Sequence, residues 1–237
     1  MLNTDSLSNI RSLLADHGPV YKETLTANFS HFIKEPWNGF SSLTFLVPVV
    51  FWLIKLKGHH RDYPFVMFCM PLLTIGGLGS MLFHGLRLSP YLLAMDWLPI
   101  VLLTLSVSIY FWYRVLAKWW QVVLVILGFI SLRVCLYMFL KGSAGINASY
   151  FINGVNMFVP ALILLRKTHN AHANWLVYAI LLFMAALVFR QIDMWQVDVL
   201  PMGSHWLWHV FCGAGAFALS TYLVKIAENA TDSQIKT

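Results

Sequence analysis

The segment SHWLWHVFCGAGAFALSTYLVKI, residues 204–226, is apolar over most of its length and carries a single lysine, Lys225, near its end. A helix of about 20 apolar residues spans the roughly 30 Å hydrocarbon core of a membrane. The whole chain has a matching composition, since 59% of its 237 residues are hydrophobic and 11% are charged, against roughly 45–50% and 25% in soluble domains. We therefore predict that this segment spans a membrane.

Six further apolar runs have a similar length. Together with the last run they predict an all-α fold, an integral membrane bundle of seven transmembrane helices. The predicted spans are 36–55, 64–84, 91–113, 119–140, 147–165, 175–192 and 204–226. We expect an extracytoplasmic N-terminal segment over residues 1–34, the seven-helix domain over 35–226 and a cytoplasmic tail over 227–237.

The Lys and Arg residues behind the net charge of +6 lie mainly in the loops between the predicted spans. Loops that follow odd-numbered spans carry seven of them, whereas the alternate loops carry only Arg87 and Lys141. By the positive-inside rule, this bias predicts an N-terminus outside and a C-terminus in the cytoplasm. The charges form no basic stripe, so we expect no nucleic acid partner.

Polar and ionisable side chains within the predicted spans gather at one end of the bundle. Such residues are costly near the bilayer centre and therefore need a partner or a function. Eight lie toward the predicted outer face, namely Glu35, Asn38, Ser80, His84, Asp96, Asp193, His205 and His209. This grouping predicts a functional site near the outer surface of the membrane.

Two pairs among these residues share a four-residue spacing, which places both side chains on one helix face. His205 and His209 form one pair, and Ser80 and His84 form the other. A Leu-Ser-Pro turn after the second span predicts a helical hairpin that brings Asp96 beside His84. Three neutral histidines with an open fourth position are typical of catalytic zinc. We predict that the three histidines bind zinc.

Zinc in such a site activates a water molecule as a nucleophile near neutral pH. We predict that Asp96 orients this water or accepts its proton. The Ser80 hydroxyl is expected to donate a hydrogen bond to the oxyanion that forms when a carbonyl is attacked. These roles indicate hydrolysis of an amide or an ester.

Other interpretations remain open. A histidine within a span is often only a packing residue, and buried carboxylates would also suit a proton path, although no broken-helix repeat accompanies them here. Haem ligation by His205 and His209 is disfavoured, because residues on one helix face cannot reach opposite faces of one porphyrin. A lipid-sensing receptor with structural zinc and an ester hydrolase stay as alternatives. Arg133, inside the fourth predicted span, has no assigned role.

The order of these residues resembles a known family. The motifs E-x-x-N-x-x-S (Glu35, Asn38, Ser41), S-x-x-x-H, Asp96 and H-x-x-x-H follow one another as in alkaline ceramidases, within the CREST superfamily of seven-span hydrolases and receptors. The segments FRQID, which ends at Asp193, and HWLWHVFCGAGAF resemble ceramidases more than the progestin and adipoQ receptors of that superfamily. The resemblance covers nearly the whole chain.

This resemblance implies a site and a substrate. The three histidines would bind zinc, Ser80 and Asp96 would surround the catalytic water, and the remaining residues would support the site. These supporting residues are Glu35, Asn38, Ser41 and Asp193. The implied reaction cleaves the N-acyl bond of ceramide, a membrane lipid, and releases a fatty acid and a sphingoid base.

Two departures separate the chain from animal alkaline ceramidases. Those members carry an acidic calcium-binding stretch before the first helix, and the corresponding positions here include Tyr21, Lys22, Thr24 and Thr26. These residues lack the carboxylates that calcium prefers, so the resemblance gives little support for calcium regulation. The gap between S-x-x-x-H and the following aspartate is also one residue longer. We therefore expect a divergent member, whose acyl lipid substrate need not be ceramide.

Overall fold

The structure, a computed structural model, describes residues 14–28, 30–140, 143–197 and 199–235. Seven helices in this part of the chain are long and apolar enough to cross a membrane, and no strand occurs in it. The spans are Pro36–Lys55, Pro64–Leu86, Pro90–Val115, Trp119–Phe139, Ala144–Lys167, Ala173–Met194 and His205–Asn229. The predicted all-α seven-helix fold is confirmed, and the predicted ends differ from the observed ones by only a few residues.

The first span is not a uniform α-helix. Its α-helical parts Pro36–Ser41 and Leu46–Lys55 flank a 3-10 segment, Ser42–Phe45. Pro48 accounts for the break, because its ring has no N–H to give and would clash with the carbonyl four residues earlier. The break lies beside the cluster of histidines described below.

Helix starts follow local sequence signals. The first three spans each begin with a proline, at Pro36, Pro64 and Pro90, where the missing N–H costs nothing. The third span therefore starts just after Ser89, whose hydroxyl accepts a hydrogen bond from the N–H of Tyr91 at 3.2 Å. This cap forms the hairpin turn expected between the second and third spans.

Glycines let the second and third spans approach closely. A Cβ atom on Gly79 would lie 2.3 Å from the carbonyl oxygen of Met95, and one on Gly76 would lie 2.6 Å from Ile100. The neighbour of Gly79 is backbone, so no larger side chain fits there, whereas at Gly76 the end of the Ile100 side chain would have to shift. The close approach brings Asp96, next to Met95, against the helix that carries Ser80.

The spans differ in how deeply they are buried. The seventh has 56% of its most apolar stretch buried, and the fourth has 11%. The seventh span therefore lies at the centre of the bundle, and the fourth lies at its edge with most of its apolar surface free to face lipid. The last helix continues to Ile235, six residues beyond the end of the seventh candidate span at Asn229.

The N-terminal segment packs onto the end of the bundle where the first span begins. It contains a short helix, Lys22–Thr26, and its side chains Asp16, Tyr21 and Glu23 are buried. Glu23 accepts hydrogen bonds from the N–H groups of Trp37 and Asn38 at 2.8 and 2.9 Å, and so caps the first span. The segment thus forms one wall of the site that follows.

Candidate metal and lipid site

Three histidines from two helices meet at one end of the bundle. The ring centroids lie 5.2 Å apart for His84 and His205, 5.0 Å for His84 and His209, and 4.7 Å for His205 and His209. All three are buried, and their ligand atoms lie within 4.8 Å of one another. Nitrogens on a tetrahedral zinc are about 3.3 Å apart for bonds of about 2.0 Å. Small side-chain rotations would therefore close the cluster around an ion.

The hydrogen bonds of His84 also suit a metal ligand. Nδ1 of His84 lies 2.6 Å from Oε2 of Glu35, while its Nε2 has no partner among the residues that the structure describes. Buried polar atoms are rarely left unpaired. A carboxylate on one ring nitrogen and a free second nitrogen are the usual arrangement of a metal-binding histidine.

Glu35 connects His84 to a buried charge network. Its carboxylate also contacts Thr24 Oγ1 at 2.6 Å, Asn38 Nδ2 at 3.1 Å and the Arg87 guanidinium. Burial by itself would raise the pKa of Glu35, but the charge of Arg87 and the hydrogen bond with His84 lower it to about 2. Glu35 is therefore ionised, and its carboxylate can accept a hydrogen bond from a protonated Nδ1 of His84.

Arg87 lies between two buried carboxylates. Its Nε and Nη2 donate to Asp16 at 2.7 and 3.1 Å, and its Nη1 donates to Glu35. Burial alone would lower the pKa of Arg87, but the two carboxylates have the larger effect and raise it above its usual value. The side chain therefore stays charged. Arg87 takes a left-handed backbone conformation, with φ at 51°, that ends the second span. Sequence reasoning counted Arg87 as a loop charge and missed this role.

Hydroxyl groups from the broken first span surround His209. Its Nδ1 lies 2.9 Å from Ser41 Oγ and 3.3 Å from Ser42 Oγ. Ser42 Oγ in turn lies 2.9 Å from Ser80 Oγ. Ser41 was singled out from the sequence, but Ser42 was not, since nothing in the sequence shows that the 3-10 turn directs two consecutive serines to one imidazole.

Asp193 caps the helix that carries His205 and His209. Its carboxylate accepts hydrogen bonds from the backbone N–H groups of Ser204, His205 and Lys22 at 2.8, 3.1 and 3.1 Å. It therefore caps the seventh span at the residue that begins it. Gly203 permits the turn, since its φ is 76° and a Cβ there would lie 2.3 Å from Asp193 Oδ1.

Tyr21 covers His205 from the N-terminal segment. The two rings stack with centroids 3.8 Å apart. Burial raises the pKa of Tyr21, so the phenol stays protonated. This contact ties the segment before the first span directly to the histidine cluster.

Ser80 and Asp96 lie beside the histidines in the wall of one large cavity. Ser80 is buried, Asp96 is half-buried, and the Asp96 carboxylate is close enough to His84 for their charges to interact. All nine residues named from the sequence thus lie at one end of the bundle. The Asn38 side chain bonds to Glu35, and Asp193 bonds to the start of the seventh span.

The cavity leads from the histidines into the bundle and is lined mainly by apolar side chains. Its empty volume is about 1410 Å³, part of which is open to the surroundings. Met70 and Leu223 line its far part. Each lies 14 residues along its helix from a histidine, His84 or His209, which corresponds to about 21 Å at 1.5 Å per residue. A space of this length and character suits a hydrocarbon chain.

Sequence reasoning missed several residues of this end of the bundle. Asp16, Tyr21 and Glu23 precede the first span in a stretch without periodicity, so only the structure shows their burial. Arg190 carried a usable signal, since it is an ionisable residue inside the predicted span 175–192 and lines the cavity. Charged residues in spans are functional candidates by default.

Comparison with known proteins gives one match. The family model described as Ceramidase matches residues 28–236, which include all three histidines, Ser80 and Asp96. No curated protein matches the chain.

Proposed function

The chain belongs to the ceramidase family, and we propose that it is a zinc-dependent intramembrane hydrolase that cleaves the N-acyl amide bond of ceramide or a related acyl lipid. Family membership supports a hydrolase that acts on amide bonds in a lipid. The observation that carries the zinc-dependent mechanism is the buried cluster of His84, His205 and His209 beside an apolar cavity.

The histidines would hold zinc through defined nitrogens. His84 would use Nε2, since its Nδ1 contacts Glu35, and His209 would use Nε2, since its Nδ1 faces Ser41. His205 would supply the third nitrogen. Zinc bound by three neutral imidazoles supplies a water of lowered pKa and polarises a carbonyl group. Glu35 and Ser41 would fix the ring orientations that such binding requires.

Two further side chains would carry the proton and charge changes of hydrolysis. Asp96 would accept a proton from the attacking water and deliver it to the leaving amine. The Ser80 hydroxyl, fixed by Ser42, would donate a hydrogen bond to the oxyanion formed at the carbonyl oxygen. The carbon–nitrogen bond then breaks, and a fatty acid and a free amine leave.

The cavity supports a lipid as the substrate. Its apolar wall extends about 21 Å from the histidines, so it offers the acyl chain an environment like that of the bilayer. Ser80, Asp96 and the histidines lie together at one end of the cavity. The amide bond of a bound lipid would therefore lie at that end.

Product analysis on purified protein tests this proposal. The zinc-loaded protein should release fatty acid and amine from ceramide, as measured by mass spectrometry. His205→Ala should lose zinc and turnover together. His59→Ala is the matched control, because His59 is an exposed histidine at the opposite end of the bundle, and it should keep both.

Three outcomes would contradict the proposal in different ways. Zinc-loaded protein that releases no fatty acid from any N-acyl lipid would exclude the amidase. Cleavage of a matched ester but not of the amide would identify an esterase. Stoichiometric zinc and bound lipid without turnover of either would favour the receptor alternative.

We also propose that the histidine cluster lies near the outer face, with the N-terminus outside and the C-terminus in the cytoplasm. The charge bias between loops supports this orientation. It becomes stronger once Arg87 is removed from the count, since Arg87 is buried in ion pairs. In a cysteine-free background, His60→Cys should react with a membrane-impermeant thiol reagent only after the membrane is opened. Labelling in intact cells would reverse the orientation.

A further inference from the structure

Arg190 is a buried arginine in the cavity wall, and no carboxylate of the described residues pairs with it. It is 2% exposed and lies on the sixth span, one turn before Asp193. Among the described residues it forms one hydrogen bond, from Nη1 to Asn147 Oδ1, and takes part in no ion pair. The nearby carboxylate of Asp193 already accepts three backbone N–H groups.

Two aromatic rings hold the guanidinium group. Its central carbon lies 5.0 Å from the ring centroid of Tyr150 and 5.9 Å from that of Trp208, both within the range of cation–π contacts. Ring faces stabilise the charge but accept no conventional hydrogen bond, and within the described part of the chain the N–H groups of Nε and Nη2 have no acceptor. These nitrogens are not sealed inside the protein, and Arg190 shares the cavity with His205 and Asp96.

A buried charge without a counter-ion is costly, so this arrangement points to a ligand that supplies one. A guanidinium group binds carboxylates and phosphates through paired, charge-assisted hydrogen bonds. We propose that Arg190 binds an anionic oxygen group of the acyl lipid in the cavity. The identification of the ligand as an acyl lipid rests on the proposed function, whereas the anion site itself is inferred from the contacts of Arg190.

Two sources could supply such a group. One is a phosphate or similar anion at the polar end of the substrate, and the other is the carboxylate of the released fatty acid. Ceramide itself carries no anion. The first source would therefore make the substrate an anionic relative of ceramide, and the second would make Arg190 a product-binding residue.

Binding of matched amphiphiles tests the site without any turnover. Full-length, zinc-loaded protein is titrated with a long-chain alkyl phosphate and with the alcohol of the same chain length. Arg190→Gln should weaken phosphate binding about tenfold to hundredfold and leave alcohol binding unchanged. Arg190→Lys should restore part of the affinity, because it keeps the charge but not the paired geometry.

A second intramembrane arginine provides the control. Arg133 is half-buried, takes part in no ion pair among the described residues and lines a second cavity, whose wall does not include Arg190 or the histidines. Arg133→Gln should bind the alkyl phosphate like the wild type. Any affinity that comes from contact between the phosphate and zinc is the same in all of these proteins, so it cancels when their affinities are compared. Equal phosphate affinity in wild type and Arg190→Gln, or a wild type that does not prefer phosphate over alcohol, would overturn the proposal.

Hydrolysis assays then separate the two sources. If the anion belongs to the substrate, Arg190→Gln should lower kcat/KM about tenfold more for ceramide that carries a phosphate monoester than for ceramide itself. If it belongs to the product, the variant should weaken inhibition by added fatty acid by a similar factor, without altering substrate preference.

The outcomes distinguish this inference from the proposed function. In one outcome, the wild type hydrolyses ceramide while Arg190→Gln changes neither the preference for charged lipids nor the inhibition by fatty acid. That outcome would overturn the anion site and leave the hydrolase intact. Phosphate binding that depends on Arg190, in a protein that hydrolyses no lipid, would support the anion site and contradict the hydrolase.

Discussion

Glu35→Gln should weaken zinc binding about 10- to 100-fold. The side chain keeps its size but loses its charge, and the carboxylate it replaces lies 2.6 Å from His84 and is fully buried. His84 contacts Oε2 of Glu35 and Arg87 contacts Oε1, so a carboxamide, with one oxygen and one NH₂ group, presents its NH₂ to one of these two donors. If its NH₂ group faces His84, the imidazole proton must move to Nε2, the nitrogen proposed to bind zinc.

The magnitude follows from the geometry of this contact. Replacing the residue that orients a metal-binding histidine costs about 10- to 100-fold in affinity, which corresponds to about 1.4–2.8 kcal/mol. The upper part of this range is expected here, because the contact is short, excludes water and involves a carboxylate whose pKa is about 2. The variant also removes one of the two counter-charges of Arg87, so the metal-free protein should melt at a lower temperature.

Competition with a chelator of known affinity measures the zinc dissociation constant directly, at a temperature where both proteins are folded. Asp62→Asn is the matched control, because Asp62 forms the same carboxylate–imidazole contact with His59, at 3.1 Å, on the exposed surface. It should leave zinc affinity unchanged. A Glu35→Gln protein that binds zinc as tightly as the wild type would refute the role given to this carboxylate.

Three further predictions test other parts of the structure. Asp96→Asn should keep zinc and lower turnover about 10²- to 10⁴-fold, the usual contribution of a general base; normal turnover would remove Asp96 from the proposed mechanism. Gly203→Ala should destabilise the protein by about 1–3 kcal/mol, because φ is 76° and its Cβ would contact Asp193, whereas Gly128→Ala, which meets no atom within 4 Å, should stabilise its helix or change little. Burial raises the pKa of Glu23 from 4.5 to about 7, so the folded protein retains this proton between those values and loses stability as pH rises through 7. Melting temperatures at pH 5 and pH 8 should therefore show a larger loss for wild type than for Glu23→Gln, and parallel losses would contradict that assignment.

The fold could be predicted because membrane spans depend on local composition. A run such as residues 204–226 needs no knowledge of its neighbours to be recognised, since the length of the apolar stretch is fixed by the bilayer. The histidine cluster was also predictable in outline, because a four-residue spacing fixes His205 and His209 on one helix face. The short turn at Ser89 then limits where Asp96 can lie relative to His84.

The residues around the cluster depend on long-range packing that sequence does not show. Arg87 looks like a loop charge until a left-handed turn directs its side chain to Asp16 and Glu35. Likewise, Ser42 contacts His209 and Ser80 from a 3-10 segment that interrupts the first span. Arg190 differs from these, since its charge within an apolar span was visible in the sequence and was overlooked.

The origin of the histidines in the second and seventh spans determines when the site can form during biosynthesis. A nascent chain holds a single imidazole of the cluster, His84, until the last span is made, so it cannot assemble the three-nitrogen ligand set earlier. Binding of the proposed zinc must then follow insertion of the whole bundle. Because Tyr21 and Asp193 contact His205 and its backbone, the docking of that final helix is also the step that joins the first and last parts of the polypeptide. A ribosome stalled before residue 205 would therefore leave an inserted but metal-free protein.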